Sequence, residues 1–174
     1  MRRTPDEPFP VATPFSGSGT IRPVRPDDID ALIELFRAAV RRVAGRDYTP
    51  AQLLAWAPDQ IDRDPWIARY ERRPAWVAAL GGRPVGFSDL EPDGHLDMMY
   101  VHPDHQGRGI ATALLAQVEQ AAHEQGIDNL YTHASLTARP FFERRGFMLI
   151  RQQTITVRGQ GFTNFRMEKP LGLP

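Results

Sequence analysis

The sequence has no cysteine. That absence removes disulfides, thiolate metal sites and cysteine nucleophiles together. Nor is there a surplus of charge, since 21 Lys and Arg balance 21 Asp and Glu. A general nucleic-acid surface needs excess basic residues, so no nucleic-acid partner is expected; the balance leaves room only for a local basic patch. No apolar run approaches the length that crosses a membrane, so no membrane partner is expected either. Met1-Arg2-Arg3 is followed by Thr, Pro, Asp and Glu rather than by the apolar core of a signal peptide. The expected location is therefore the cytoplasm. The 5 histidines are scattered without ligand spacing, so no metal is expected.

What remains fits a single α/β domain, and 174 residues can bury a core. Residues 1–19 hold Pro5, Pro8, Pro10 and Pro14 and end in Ser16-Gly17-Ser18-Gly19, which reads as a flexible tail before a domain over 20–170. A short strand over 20–24 precedes a helix capped by Asp27. Ile29, Leu32, Ile33, Phe36 and Val40 share one face of that helix, and Gly45 is its expected stop. Thr49-Pro50 reads as an N-cap followed by proline at the first helical position. A further helix is expected over 62–72. Strands over 75–80 and 84–90 flank a Gly81-Gly82 hairpin turn, and a third strand covers 95–101. The main helix covers 108–125, with Ile110, Leu114, Val118 and Ala121 facing inward. A strand over 130–133, a helix capped by Thr137 and stopped by Gly146, and strands over 147–157 and 161–167 complete a mixed α/β order.

One stretch outweighs the others: Val101-His102-Pro103-Asp104-His105-Gln106-Gly107-Arg108-Gly109-Ile110-Ala111. A strand feeds a glycine turn, and the turn feeds a helix N-terminus. Such an end presents unpaired N–H groups and partial positive charge, which suits phosphate. Gly107 and Gly109 allow close backbone approach, and Arg108 adds charge at the rim. It is neither a Walker loop nor a Gly-x-Gly-x-x-Gly dinucleotide loop.

The stretch resembles the acetyl-coenzyme A motif of the GCN5-related N-acetyltransferases, Gln/Arg-x-x-Gly-x-Gly/Ala, met here by Gln106, Gly109 and Ala111. Further on, Ala138-Arg139-Pro140-Phe141-Phe142-Glu143-Arg144-Arg145-Gly146-Phe147 is similar to the family's fourth helix and its Gly-Phe end. The resemblance covers roughly residues 20–169. It implies a mixed, twisted central sheet with helices on both faces, splayed between its fourth and fifth strands, with the coenzyme in the split. It further implies that Met99, Tyr100 and Val101 pair with the pantetheine arm like an added strand, with an N–H near Met99 or Tyr100 as oxyanion donor. Gly107, Arg108, Gly109, Ile110, Ala111 and Thr112 hold the pyrophosphate, and Ser135 touches the coenzyme arm.

Acetyl transfer to an amine needs a base, an oxyanion donor and a route for the departing thiolate. Where many relatives carry a tyrosine proton donor, this sequence has Phe142, which has no proton to give. Phe142 is then core packing or a wall of the acyl pocket. The thiolate leaves unassisted, given a thiol pKa of about 8.5, or takes a proton from water, Tyr100 or Tyr131. For the base, Asp97 sits among apolar neighbours, where burial would raise its pKa; it reads equally as a structural carboxylate. His133 has a suitable native pKa and shares a strand face with Tyr131 and Ser135, yet also reads as structural. His95 and Glu91 belong to a more solvent-exposed turn, and His102, His105 and His123 have weaker claims. Phe36, Tyr48, Trp56, Trp66, Phe162, Asn164 and Phe165 are candidates for the acceptor site or for ordinary packing.

The expected activity is therefore transfer of acetyl from acetyl-CoA to a primary amine of a small molecule or peptide, by direct attack in a ternary complex. The alternative is a coenzyme A binding or sensing module with little turnover. A homodimer is common for the fold.

Overall fold

In a computed structural model that describes residues 15 and 19–172, the strands form two sheets that touch at one end and part at the other. The first holds β1 (Thr20–Pro23), β2 (Ala75–Leu80), β3 (Arg83–Asp89) and β4 (Met99–Val101), in the order β1-β2-β3-β4. The second holds β5 (Asn129–Ser135), β6 (Met148–Val157) and β7 (Gln160–Pro170), in the order β5-β7-β6. Pairing within each sheet is antiparallel. A parallel bridge between His95 and Tyr131 joins the sheets, with the Leu96 N–H donating to the Tyr131 carbonyl at 2.8 Å. Beyond it β4 and β5 diverge, which is the expected split.

Both faces of the first sheet are covered, so β2 is apolar throughout rather than alternating. Trp76 and Ala78 face α4 (Ile110–Glu124), in a core that includes Leu114, Val118 and Phe142. Val77 and Ala79 face α1 (Ile29–Ala38) and α3 (Asp64–Arg72) in a second core around Leu32, Phe36 and Trp66. The inward positions expected of α1 and α4 are all buried.

Several local expectations hold. Thr49 caps α2 (Pro50–Trp56) in a reciprocal box, accepting from the Gln52 N–H at 3.2 Å while Gln52 Oε1 accepts from the Thr49 N–H at 2.8 Å. Gly81 and Gly82 form the hairpin turn, with φ of +55° and +80°.

Others are corrected. Asp28, not Asp27, anchors the first helix: it accepts the Arg25 N–H at 2.8 Å and pairs with both arms of the Arg22 guanidinium. Gly45 does not stop that helix, which instead loosens into a π turn over Ala39–Val43 and then a 3₁₀ turn over Ala44–Arg46. Thr137 does not cap α5 (Arg139–Arg144); Ser135 Oγ accepts the Ala138 N–H at 3.0 Å, and the Thr137 hydroxyl donates to Asp47 at 2.6 Å. The strand expected over 95–101 is regular only at Met99–Val101. The buried Asp89 explains this: its carboxylate accepts the N–H groups of Asp97 at 3.1 Å and Met98 at 2.8 Å, in place of sheet pairing. Residues 1–14 and 16–18 of the expected tail lie outside the described residues, but Phe15 is buried against the first core.

Candidate active site

The glycine loop is built by its neighbours. The Asp104 N–H donates to His102 Nδ1 at 3.2 Å, and Gln106 Nε2 donates to the Val101 carbonyl at 2.8 Å, closing the end of β4. Gly107 and Gly109 then take φ of +71° and +78°, the left-handed region that side-chain-bearing residues avoid. The Ala113 N–H donates to the Gly109 carbonyl at 3.0 Å. The N–H groups of Ile110, Ala111 and Thr112 precede it in the first turn of α4, with no carbonyl of their own helix to bond.

This turn opens onto a cleft of about 670 Å³, within the usual range for small-molecule sites. Of the twelve expected coenzyme-binding residues, eleven line it: Met99, Tyr100, Val101, Gln106, Gly107, Gly109, Ile110, Ala111, Thr112, Ser135 and Phe142. Arg108 does not; its side chain stands in solvent. The cleft draws positive charge from Arg144 and Arg145 instead, and Arg145 donates to Thr112 Oγ1 at 2.7 Å. Those two arginines were visible in the second motif, adjoining Gly146-Phe147, but nothing local showed that they reach α4. Three residues of the π turn, Ala39, Val40 and Val43, also line the cleft.

A second cavity of about 590 Å³ lies on the other side of β4. Of the expected acceptor residues, Phe36, Tyr48, Trp56, Trp66, Phe162 and Asn164 line it. Phe165 does not, because strand alternation points it into the first core, under the Arg139 guanidinium at 4.5 Å. The cavity walls are tied together by contacts between residues distant in sequence. The Leu136 N–H donates to the Tyr48 hydroxyl at 2.9 Å, and Gln52 Nε2 donates to the Gly161 carbonyl at 2.8 Å. Arg158 donates to the Ala55 carbonyl at 2.7 Å. The cleft and the cavity meet at five shared residues: Trp56, Asp97, Tyr100, His133 and Ser135.

At that meeting point the titratable groups differ from expectation. Burial pushes the Asp97 carboxyl up, but the Arg69 hydrogen bond and the charges of Arg69, His95 and Arg73 outweigh it, so the pKa is lowered. Asp97 is thus a paired carboxylate held by Arg69, with Arg73 at 3.3 Å. Asp89 is the carboxyl that burial raises, to about 6, against the Met98 N–H and the two arginines. Sequence reasoning missed Asp89 because its importance lies in what its side chain does to residues further along the chain. His133 is an exposed position of β5 and opens into both spaces. Partial burial lowers its pKa, with His95 and Arg166 acting in the same direction. It is therefore neutral near pH 7, with a lone pair to take a proton.

Tyr131 is corrected as a proton donor. Its hydroxyl donates to Asp93 at 2.6 Å, and that bond, with burial, pushes its pKa up to about 12. Its ring is stacked on His95 at 4.6 Å and covered by Arg166 at 3.6 Å, and it lines neither space. His95 and Glu91 are not in open solvent: His95 Nδ1 lies 2.9 Å from Glu91, and Arg73 pairs with Glu91. Tyr100 is the phenol at the junction, edge-on to Phe36 at 5.0 Å, with its pKa raised by burial. Phe142 is 3% exposed and packs edge-on against Phe147 at 5.0 Å.

A split sheet with a glycine loop on a helix N-terminus, and a second cavity across the exposed strand, defines an acyl-coenzyme A transferase architecture. The acetyltransferase (GNAT) domain family matches residues 44–169. The uncharacterized N-acetyltransferase YafP of Escherichia coli is 40% identical over 148 residues, covering 84% of this chain and 93% of that protein. The crystal structure of a GCN5-related N-acetyltransferase from Rhodopseudomonas palustris superposes with a TM-score of 0.84 at 33% identity, over 94% of this chain and all of that one. The structure of yncA from Salmonella typhimurium, solved with its cofactor acetyl-CoA, shares the fold, with a TM-score of 0.70 at 21% identity over 90% of this chain and 95% of that one. The chain belongs to the GNAT family and is an acetyl-CoA-dependent N-acetyltransferase.

Proposed function

We propose that the protein transfers acetyl from acetyl-CoA to a primary amine of a small molecule or peptide by direct attack in a ternary complex. The observation that carries this reading is the meeting of the two spaces at Tyr100, His133 and Ser135. The donor residues fit the coenzyme: glycines in the left-handed region leave the first-turn N–H groups of Ile110, Ala111 and Thr112 open to a pyrophosphate. Arg144 and Arg145 add charge at the same rim. Met99–Val101 pairs with β3 on one edge and leaves the other facing the split, where a pantetheine arm adds as a strand. Solved structures that share the fold hold acetyl-CoA.

In this reading the amine enters from the acceptor cavity. His133 accepts a proton from the nitrogen as the new C–N bond forms. A main-chain N–H at the outer edge of β4 steadies the oxygen of the tetrahedral centre. The C–S bond then breaks and the thiolate leaves. Phe142 offers it no proton, so it departs unassisted, takes one from water, or takes one from Tyr100. Asp97, held ionised by Arg69, orients the junction rather than serving as the base.

Phe142 also supports a second reading, a coenzyme A binding or sensing module with little turnover. Calorimetric titration with acetyl-CoA, followed by thiol release over an amine panel, separates the two. The transferase reading expects micromolar or tighter binding and amine-dependent release. Binding without release would favour the sensor, and no binding would sink both.

A further inference from the structure

The acceptor cavity is lined by an asparagine whose buried amide oxygen has no hydrogen-bond partner among the described residues. Asn164 is 9% exposed, and among the described residues its Oδ1 accepts no hydrogen bond. Buried amide oxygens are rarely left unpaired, so this one needs a reason. Along β7, Phe165 and Met167 face the first core, while Phe162 and Asn164 face the cavity. Asn164 is in register with Ser135 on β5, two positions from His133. Asn164 therefore lines the cavity beside the junction where acetyl transfer is placed.

Resting on that placement, we propose that Asn164 Oδ1 receives one N–H of the acceptor amine, and that this amine is carried on a flat, apolar body. A neutral primary amine has two N–H groups and one lone pair. Fixing one N–H restricts where the lone pair can point, leaving the other proton for His133. The cavity walls decide the rest of the acceptor. Phe36, Trp56, Trp66 and Phe162 offer aromatic surface. Among the described residues lining the cavity, Asp97 is the only carboxylate, and Arg69 and Arg73 already engage it. A polyamine or a lysine-rich peptide would bring further positive charge and find no partner for it.

The test is calorimetric titration of phenethylamine, and separately of spermidine, into protein saturated with coenzyme A. Phenethylamine is expected to bind the wild type more tightly than spermidine does. Asn164→Leu should weaken phenethylamine by at least about tenfold, the loss of one buried hydrogen bond. Asn164→Asp keeps an accepting oxygen and should stay within about threefold of wild type. Coenzyme A affinity, unchanged to within about twofold in both variants, reports an intact fold. Failure of phenethylamine to bind, equal binding in Asn164→Leu, or tighter binding of spermidine would each overturn the proposal. Asn164-dependent binding with no thiol release from acetyl-CoA would sink the transferase reading while leaving this amine site standing.

Discussion

The backbone groups offered to the coenzyme cleft, the β4 edge and the first turn of α4, come from one stretch, Met99 to Thr112, whereas the acceptor cavity is assembled from seven separate elements. Phe36, Trp56, Trp66, Tyr100, His133, Gln153 and Asn164 come from α1, α2, α3, β4, β5, β6 and β7 in turn. The difference follows from what each half must hold. A pyrophosphate and an amide-bearing arm can be held by backbone groups, which a short strand–turn–helix presents wherever glycine permits the turn. An acceptor is selected by side chains converging from several directions, which only tertiary packing can bring together.

The comparison breaks most sharply at Gly109. A side chain there is strained by the left-handed backbone at a cost of roughly 1–2 kcal/mol. It would meet nothing within 4 Å, so the fold should survive. We expect Gly109→Val to cut coenzyme A affinity by about a hundredfold or more, because reshaping the turn withdraws the first-turn N–H groups together. Calorimetry checks this, and retained affinity would place the phosphates elsewhere. If the two halves are separately built, amines should still bind the variant.

The next largest effect belongs to the junction. His133→Gln should lower kcat by about a hundredfold, within the range for losing a general base, with little change in coenzyme affinity. The pH profile carries the sign. Because the His133 pKa is lowered, the imidazole stays neutral below its ordinary value of 6.5, so activity should persist below that pH. It should fall only as pH drops through the depressed value. His95→Gln removes one of the influences that depress it, and should move this acid limb upward. A limb that stays in place in both variants would assign the base elsewhere.

The same contrast explains what was legible in the sequence. The Thr49 cap, the Gly81-Gly82 turn, the inward face of α4 and the glycine loop depend on neighbours within a few residues, and all four are present. The shortened β4 was hidden because Asp89, on another strand, takes the N–H groups of residues 97 and 98. Tyr131 occupies the strand expected, and only the distant Asp93 reveals that its hydroxyl is turned away. The lowered pKa of Asp97 was equally hidden, since Arg69 reaches it from α3. Apolar neighbours in sequence suggested burial; tertiary neighbours supplied the charge that won.

The smallest effects test how the halves are fastened together. Two contacts reach from the segment after α1 to opposite walls: Tyr48 accepts the Leu136 N–H at 2.9 Å, and Arg42 pairs with Asp104 at 2.6 Å. The first is half-buried and ends at Leu136, immediately after the strand that carries His133 and Ser135. The second is open to solvent, with 58% and 61% of its side chains exposed. Tyr48→Phe leaves the Leu136 N–H unpaired, a loss of about 1 kcal/mol, so the acceptor KM should rise roughly fivefold with coenzyme affinity unmoved. Arg42→Ala should change either affinity by less than about twofold, since exposed pairs contribute little. Steady-state kinetics with both substrates varied would rank them. If Arg42→Ala instead moved the acceptor KM as far as Tyr48→Phe, the segment would act as one lever on both cavities. The separation between a backbone-built donor half and a packing-built acceptor half would then fail.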